Sequence, residues 1–143
     1  MKATELMIGN WVQSPESGKY FKVETIYGGN NEAMRCISAK TDDGEFCNKG
    51  IWQPIPLTPE ILEKNGFVNR HTIGELYRCD IRLDDEIGGE YISLNYYLYN
   101  KLLSIKLAKD YSTCPSVSDL PIQYVHELQN ALTLCKIEKE IEL

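Results

Sequence analysis

Five cysteines and two histidines are the residues of this sequence best suited to covalent chemistry. A cysteine nucleophile needs an imidazole to take its proton, and usually a third group that orients the imidazole. The closest arrangement is Cys114 in a Ser/Pro-rich loop, His126 on a following helix and Asp119 between them. A histidine on the polar face of a helix is more commonly a solvent-facing or structural group. We therefore assign no catalytic residue, and a Cys/His hydrolase is the most remote functional hypothesis.

Metal binding is also disfavoured by the spacing of the potential ligands. The cysteines are scattered, without a CxxC pair, and His71 lies far from His126. The segment 126–130 begins like the helix of a zinc protease but lacks the second histidine one turn later. The acidic run 84–86 lacks the spacing of a calcium loop. We expect neither a metal nor another cofactor.

Charge and cysteine usage limit the partners and the compartment. The formal net charge is −6, which provides no broad positive field for nucleic acid or anionic membrane. A local patch of Arg70, His71, Arg78 and Arg82 keeps nucleic acid open as an alternative. An odd number of scattered cysteines favours reduced thiols, and no apolar run is long enough to span a membrane. These features predict a cytoplasmic protein.

Nine tyrosines are the most unusual feature of the composition. Strand periodicity places three of them on one face of a strand, and three polar residues lie together on a C-terminal helix. Such groups could contact a protein partner or stack on bases, although tyrosines in strands more often cover a core. The candidate partner-binding surface consists of Tyr91, Tyr97, Tyr99, His126, Gln129 and Asn130.

The first part of the chain, residues 1–53, has the pattern of a small β module. Apolar runs at 8–13, 20–27, 33–39 and 45–47 alternate with turn residues, which predicts an antiparallel meander or barrel. The first two runs are similar to the opening strands of an SH3-like barrel. That similarity concerns fold alone.

A short helix is predicted between residues 57 and 67. Thr58 can cap the helix, and Pro59 suits the first helical position because its missing N–H would be unpaired there. Gly66 can adopt the left-handed conformation that ends the helix, and Phe67 can then fold back on Leu62.

The remainder of the chain, within residues 54–143, predicts a second antiparallel meander and one amphipathic helix. Strands are expected at 77–83, 90–99 and 102–108, followed by a loop that contains Pro115. A helix beginning near Pro121 should pack its apolar side, including Cys135, on this meander. Residues 136–143 are expected to return as an edge strand. The fold class is α+β, with 54–143 forming one compact unit with the first module.

Three strings give a resemblance that extends over most of the chain. They are IGNWV at 8–12, PIPLTPE at 54–60 with the Gly66-Phe67 helix ending, and YVHELQN at 124–130. Together they resemble a family of small proteins of Bacteroides-like gut bacteria and their phages. The resemblance implies a prophage or mobile-element origin, and it brings no activity and no site residues.

These observations predict a non-enzymatic protein-binding or accessory module. The alternative is a nucleic-acid-binding module that uses the SH3-like part or the tyrosine-rich sheet. Pairing of an edge strand across a two-fold axis could also produce a homo-oligomer.

Overall fold

The computed structural model describes residues 5–27, 36–41, 44–47, 52–70, 75–83, 90–108 and 116–143. The fold is α+β, with two antiparallel sheets and two helices. The chain forms two compact units. The first contains Met1–Pro56 and Tyr124–Ile141, and the second contains Leu57–Gln123 and Glu142–Leu143.

The first sheet has the strand order β1-β2-β3-β4, and the second has the order β5-β6-β7-β8-β9. Strands of the first sheet are β1 (Trp11–Gln13), β2 (Tyr20–Tyr27), β3 (Cys36–Lys40) and β4 (Phe46–Cys47). Those of the second are β5 (Val68–Asn69), β6 (Leu76–Arg82), β7 (Tyr91–Tyr97), β8 (Leu102–Ala108) and β9 (Ser116–Pro121). The helices are α1 (Pro59–Lys64) and α2 (Val125–Leu134). No helix in the described ranges has both the length and the apolar character needed to cross a membrane.

The first sheet is an antiparallel meander, as predicted. Its core contains Val12, Phe21, Val23 and Ala39, and the ring of Trp52 meets Phe21 edge to face at 5.3 Å between centroids. A bulge interrupts the pairing of β2 with β3. Within the described residues β1 does not pair with β4, so the sheet is open there and a closed barrel is not observed. The SH3-like arrangement stays a prediction.

Helix α1 agrees with its sequence signals. The Thr58 hydroxyl accepts a hydrogen bond from the Ile61 N–H at 3.4 Å. Gly66 has φ +77°, a left-handed conformation that is strained for any residue with a side chain. The Phe67 N–H then reaches back to the Leu62 carbonyl at 3.0 Å, which completes the predicted helix ending.

Helix α2 differs from its prediction in both position and partner. It begins at Val125 rather than near Pro121, which is the last residue of β9. The prediction that it packs on the second meander is wrong, because α2 belongs to the first unit. Its first N–H, on Val125, donates to the carbonyl of Ile55 at 2.9 Å. The apolar period identifies the buried side of a helix but not the sheet that covers it.

The C-terminal segment also departs from its prediction. Residues 137–143 form neither a helix nor the expected edge strand. Lys136 has φ +56°, and the Ile137 N–H bonds to the Leu132 carbonyl at 2.9 Å, which ends α2 with a reversal. Ile137 and Ile141 are buried beyond this reversal. Cys135, predicted to be a core residue, is exposed at the end of the helix.

The second sheet contains the predicted meander and two strands that the sequence did not indicate, the short β5 and β9. Strand β9 pairs with β8, with Leu120 opposite Leu103, where a loop was expected. Its Ser, Asp and Pro residues are typical of turns, yet an edge strand tolerates them because only one side pairs. The apolar face buries Tyr77, Cys79 and Tyr96. The prediction that Cys79 is a core residue is confirmed.

Candidate functional site

The face of the second sheet opposite its apolar core carries the most concentrated polar chemistry of that unit. Directly paired residues of an antiparallel sheet project to the same side, so the register defines this face. We call it the outer face. On β6, β7 and β8 it consists of Leu76, Arg78, Asp80, Arg82, Tyr91, Ser93, Asn95, Tyr97, Leu102, Ser104 and Lys106.

Three small polar residues occupy the centre of the outer face. Ser93, Asn95 and Ser104 are only 4%, 9% and 6% exposed. Asn95 Nδ2 donates to Ser93 Oγ at 3.1 Å, whereas the buried Ser104 Oγ has no hydrogen-bond partner. Asn95 and Ser104 lie directly opposite each other on β7 and β8. Buried polar groups in proteins are nearly always paired, so the unpaired Ser104 hydroxyl is an unusual feature of this sheet.

Tyrosine and arginine side chains surround this polar centre. Tyr91 and Tyr97 are half-buried at the two ends of β7. Arg78 Nε donates to both carboxylate oxygens of Asp80, at 2.8 and 3.0 Å. The hydrogen bond to Asp80 raises the pKa of Arg78 above its ordinary value, and Tyr91 contributes in the same direction. The guanidinium is therefore held in place and charged.

The charges on the outer face differ from those of the chain as a whole. On β6, β7 and β8 its described residues carry three cationic groups and one carboxylate: Arg78, Arg82, Lys106 and Asp80. A second carboxylate, that of Asp119, belongs to the β9 bulge opposite Ser104. Arg82 and Lys106 are exposed, and neither has an ion-pair partner in the described part of the chain. A local cationic surface therefore exists on a protein whose net charge is −6.

The tyrosine half of the predicted surface is only partly reproduced. Tyr91 and Tyr97 share the outer face, whereas Tyr99 lies in the turn after β7 and is 72% exposed. The prediction that all three share one strand face is therefore wrong for Tyr99. The chain leaves the strand at Leu98, and alternation ends with it.

The sequence predicted His126 on an exposed face of the helix, and this prediction is wrong. Its side chain is 2% exposed, and its ring stacks on that of Tyr124 with centroids 5.8 Å apart. The Nδ1 atom has no partner. Burial lowers the pKa of His126, against the opposing influence of the Glu127 and Glu5 carboxylates. The helix period correctly separated His126 from the apolar stripe but could not show that His126 itself is buried.

Gln129 and Asn130 also make internal contacts. Gln129 Oε1 accepts from the Trp11 N–H at 2.9 Å, and its Nε2 donates to the Gly9 carbonyl at 3.2 Å. Asn130 Nδ2 donates to the Glu5 carbonyl at 2.9 Å. Both side chains thus anchor the N-terminal segment to α2. The six predicted residues belong to two units, with the three tyrosines in the second and the helix residues in the first.

A shallow groove of about 640 Å³ lies beside β2 and β3 in the first unit. Its lining includes Lys22 and Lys40, which are opposite each other in the register. Lys22 forms an ion pair with Glu140 and lies 5.2 Å from the Trp11 ring centroid. Its charge is thus already balanced within the first unit, and the groove is a weaker candidate than the outer face.

The remaining chemical candidates add no site. Cys114 and His71 lie outside the described residues, so the proposed Cys/His arrangement is not tested. Among the described residues, no group of three or more His, Cys, Asp or Glu side chains is placed to hold a metal.

Ser93, Asn95 and Ser104 were missed by sequence reasoning. Their alternation with Leu94, Leu103 and Ile105 was a usable signal, because it places small polar groups on a single face.

Comparison of the chain with protein-family models, with curated proteins and with solved structures finds no match. The resemblance to the gut-bacterial and phage family therefore stays a prediction. The outer face is the candidate site that the geometry of the described residues supports best.

Proposed function

We propose that this protein is a non-enzymatic binding module that recognises a protein partner through the outer face. The observation that carries the proposal is the position of the partly exposed side chains of Tyr91, Tyr97 and Arg78 on one face of the second sheet.

The composition of the outer face supports protein recognition. Tyrosine provides large contact area at a small entropic cost, serine and asparagine provide adaptable hydrogen bonds, and arginine is frequent at energetic hot spots. Tyr97, Asn95 and Arg78 represent these three classes within neighbouring strands. Proteins that recognise other proteins through tyrosine-rich surfaces use the same combination.

A nucleic-acid-binding module is the second candidate. It is favoured by the position of Tyr91 beside Arg82, because aromatic rings and cations together bind single strands. Two observations weigh against it. The Arg78 guanidinium is engaged by Asp80, and the net charge of −6 opposes an extended phosphate backbone.

The accessory role on a prophage or mobile element, and the cytoplasmic location, belong to the same proposal. The accessory role is supported by the three strings at 8–12, 54–60 and 124–130, which resemble the gut-bacterial and phage family. The location is supported by the odd number of scattered cysteines.

The test is affinity purification of the full chain at native level from its own cells, with and without nuclease. The wild type is compared with a Tyr91→Ala/Tyr97→Ala variant, after thermal melting has established that the variant is folded. Tyr20→Ala is the matched control, because Tyr20 is a 44% exposed strand tyrosine of the first sheet.

We expect a protein partner that survives nuclease, is lost with the double variant and is retained by Tyr20→Ala. Equal recovery by the double variant and the wild type would overturn the assignment of the outer face. Loss of every partner after nuclease treatment would favour nucleic acid instead.

A further inference from the structure

We infer that the shallow groove beside β2 and β3 binds a free amino acid with an apolar side chain. The groove belongs to the first unit, so the inference is independent of the partner-binding function proposed for the outer face. Its volume of about 640 Å³ lies within the range of small-molecule sites. Three features of its lining define the ligand, namely an exposed apolar residue, an exposed cation and an exposed carboxylate.

The apolar part of the lining is Ile8, which lies in a tight turn. The Asn10 N–H donates to the Met7 carbonyl at 3.1 Å, and this hydrogen bond closes the turn. Gly9 occupies the third position with φ +89°, a left-handed conformation that turns of this kind assign to glycine. The turn leaves Ile8 69% exposed in the groove lining, where its side chain can contact an apolar part of a ligand.

The groove follows the part of β2 where regular pairing is interrupted. On one side, the Gly9 N–H donates to the Val23 carbonyl at 2.7 Å, and the Val23 N–H donates to the Asn10 carbonyl at 2.8 Å. On the other side, a bulge lies between Val23 and Thr25, so Glu24 has no residue directly opposite it on β3. Bulges redirect side chains and are frequent next to functional sites. The bulge thus contributes the Glu24 carboxylate to the groove lining.

The charged groups of the groove have both signs. Lys22 lies directly opposite Lys40 on β3, but its ammonium is paired with the Glu140 carboxylate. Lys40 and Glu24 are exposed, and within the described residues neither forms an ion pair. One cation and one carboxylate of the lining are therefore without a counter-ion. A ligand of complementary charge carries both a carboxylate and an ammonium.

An amino acid combines these groups in one small molecule. Its carboxylate can accept hydrogen bonds from the Lys40 ammonium, and its own ammonium can donate to the Glu24 carboxylate. The carbon between these two groups also bears the side chain. An apolar side chain in contact with Ile8 adds affinity, because apolar surface is removed from water.

Ligands with a single kind of charge fit less well. A carboxylic acid without an amine brings its negative charge next to Glu24, and an amine without a carboxylate brings its positive charge next to Lys22 and Lys40. Like charges placed together lower affinity. A phosphorylated ligand would be repelled more strongly by Glu24, because it carries more negative charge.

The experiment measures the affinity of the full chain for leucine by isothermal titration calorimetry. Two analogues, 4-methylpentanoate and 3-methylbutylamine, each lack one charged group of leucine and keep its branched side chain. Leucine should bind at least about tenfold more tightly than either analogue, because each analogue loses a charge-assisted contact. Glycine should also bind more weakly than leucine, since it has no side chain to contact Ile8.

Three substitutions of exposed residues test the role of each group. Glu24→Gln should weaken leucine binding about tenfold without weakening that of 4-methylpentanoate, whereas Lys40→Gln should weaken the binding of both. Ile8→Ser should weaken the binding of leucine but not that of glycine. Lys106→Gln is the matched control, because Lys106 is an exposed strand lysine of the second sheet, and it should change none of these affinities. Thermal melting establishes that each variant is folded.

Three results would overturn the inference. The first is the absence of leucine binding to the wild type at millimolar concentration. The second is an affinity for either analogue equal to that for leucine, because the site would then recognise a single charge. The third is leucine binding that persists in both Glu24→Gln and Lys40→Gln, which would place the ligand outside the groove.

Discussion

The side-chain amide of Gln129 on α2 hydrogen-bonds to the backbone of the first sheet at Trp11. Its oxygen accepts from the Trp11 N–H at 2.9 Å, and its nitrogen donates to the carbonyl of Gly9. The amide thus takes the place of a neighbouring strand residue along the start of β1, an edge strand of its sheet. The sequence pattern places Gln129 on the exposed face of α2, whereas in the structure Gln129 covers the edge of the first sheet at β1.

Removal of this amide should destabilise the protein. Gln129→Ala leaves one donor and one acceptor of the backbone without partners, so we expect a loss of about 1–3 kcal/mol in the free energy of unfolding. Urea unfolding followed by circular dichroism measures this difference. Gln53→Ala replaces an exposed glutamine whose backbone, rather than its side chain, pairs with Gln13, and should stay within about 0.5 kcal/mol. Equal effects of the two changes would contradict the edge-covering role.

The buried imidazole of His126 should make stability depend on pH. Burial lowers the pKa of His126 in the folded protein. At a pH between this lowered pKa and the ordinary histidine pKa, the imidazole binds a proton in the unfolded chain but not in the folded one. The neutral imidazole therefore makes its full contribution to the free energy of unfolding above about pH 6.5, the ordinary histidine pKa. That contribution is lost progressively as the pH falls below this value. The wild type should therefore lose stability relative to His126→Gln on acidification. Urea unfolding of both proteins between about pH 5 and 8 measures this, and parallel curves would contradict it.

The two serines at the centre of the outer face should respond differently to alanine. Ser93→Ala removes the closer of the two acceptors of Asn95 Nδ2, the other being the Ser93 carbonyl, and should cost about 1 kcal/mol. Ser104→Ala removes a hydroxyl that has no partner, so stability should be unchanged or slightly higher. Differential scanning calorimetry of the two variants tests this contrast. A larger loss with Ser104→Ala would mean that its hydroxyl is bonded within the protein.

Two leucines of α2 provide a matched test of the helix packing. Leu128 is 1% exposed and Leu134 is 72% exposed. Leu128→Ala should destabilise the protein by about 2–5 kcal/mol, because it leaves a cavity in the core. Leu134→Ala should remain within about 0.5 kcal/mol. Similar shifts in chemical denaturation midpoint would show that the buried side of α2 is assigned incorrectly.

Local signals were sufficient for helix α1 and for the central strands of the second sheet. Thr58, Pro59 and Gly66 act within a few residues of themselves, so their types predict where the helix begins and ends. The alternation from Tyr77 to Leu83 likewise reports side-chain direction along one strand. The division of residues between the two faces of that strand follows from the amino-acid sequence alone.

Tertiary structure decided which surfaces are covered. Periodicity placed His126 and Gln129 together, yet the bonding of Gln129 depends on Gly9 and Trp11, residues more than a hundred positions away in sequence. The pairing of Asn95 with Ser104 likewise required the register of β7 and β8. A sequence pattern records which residues share a face. The segment that packs against that face is selected by long-range contacts, which have no local signature.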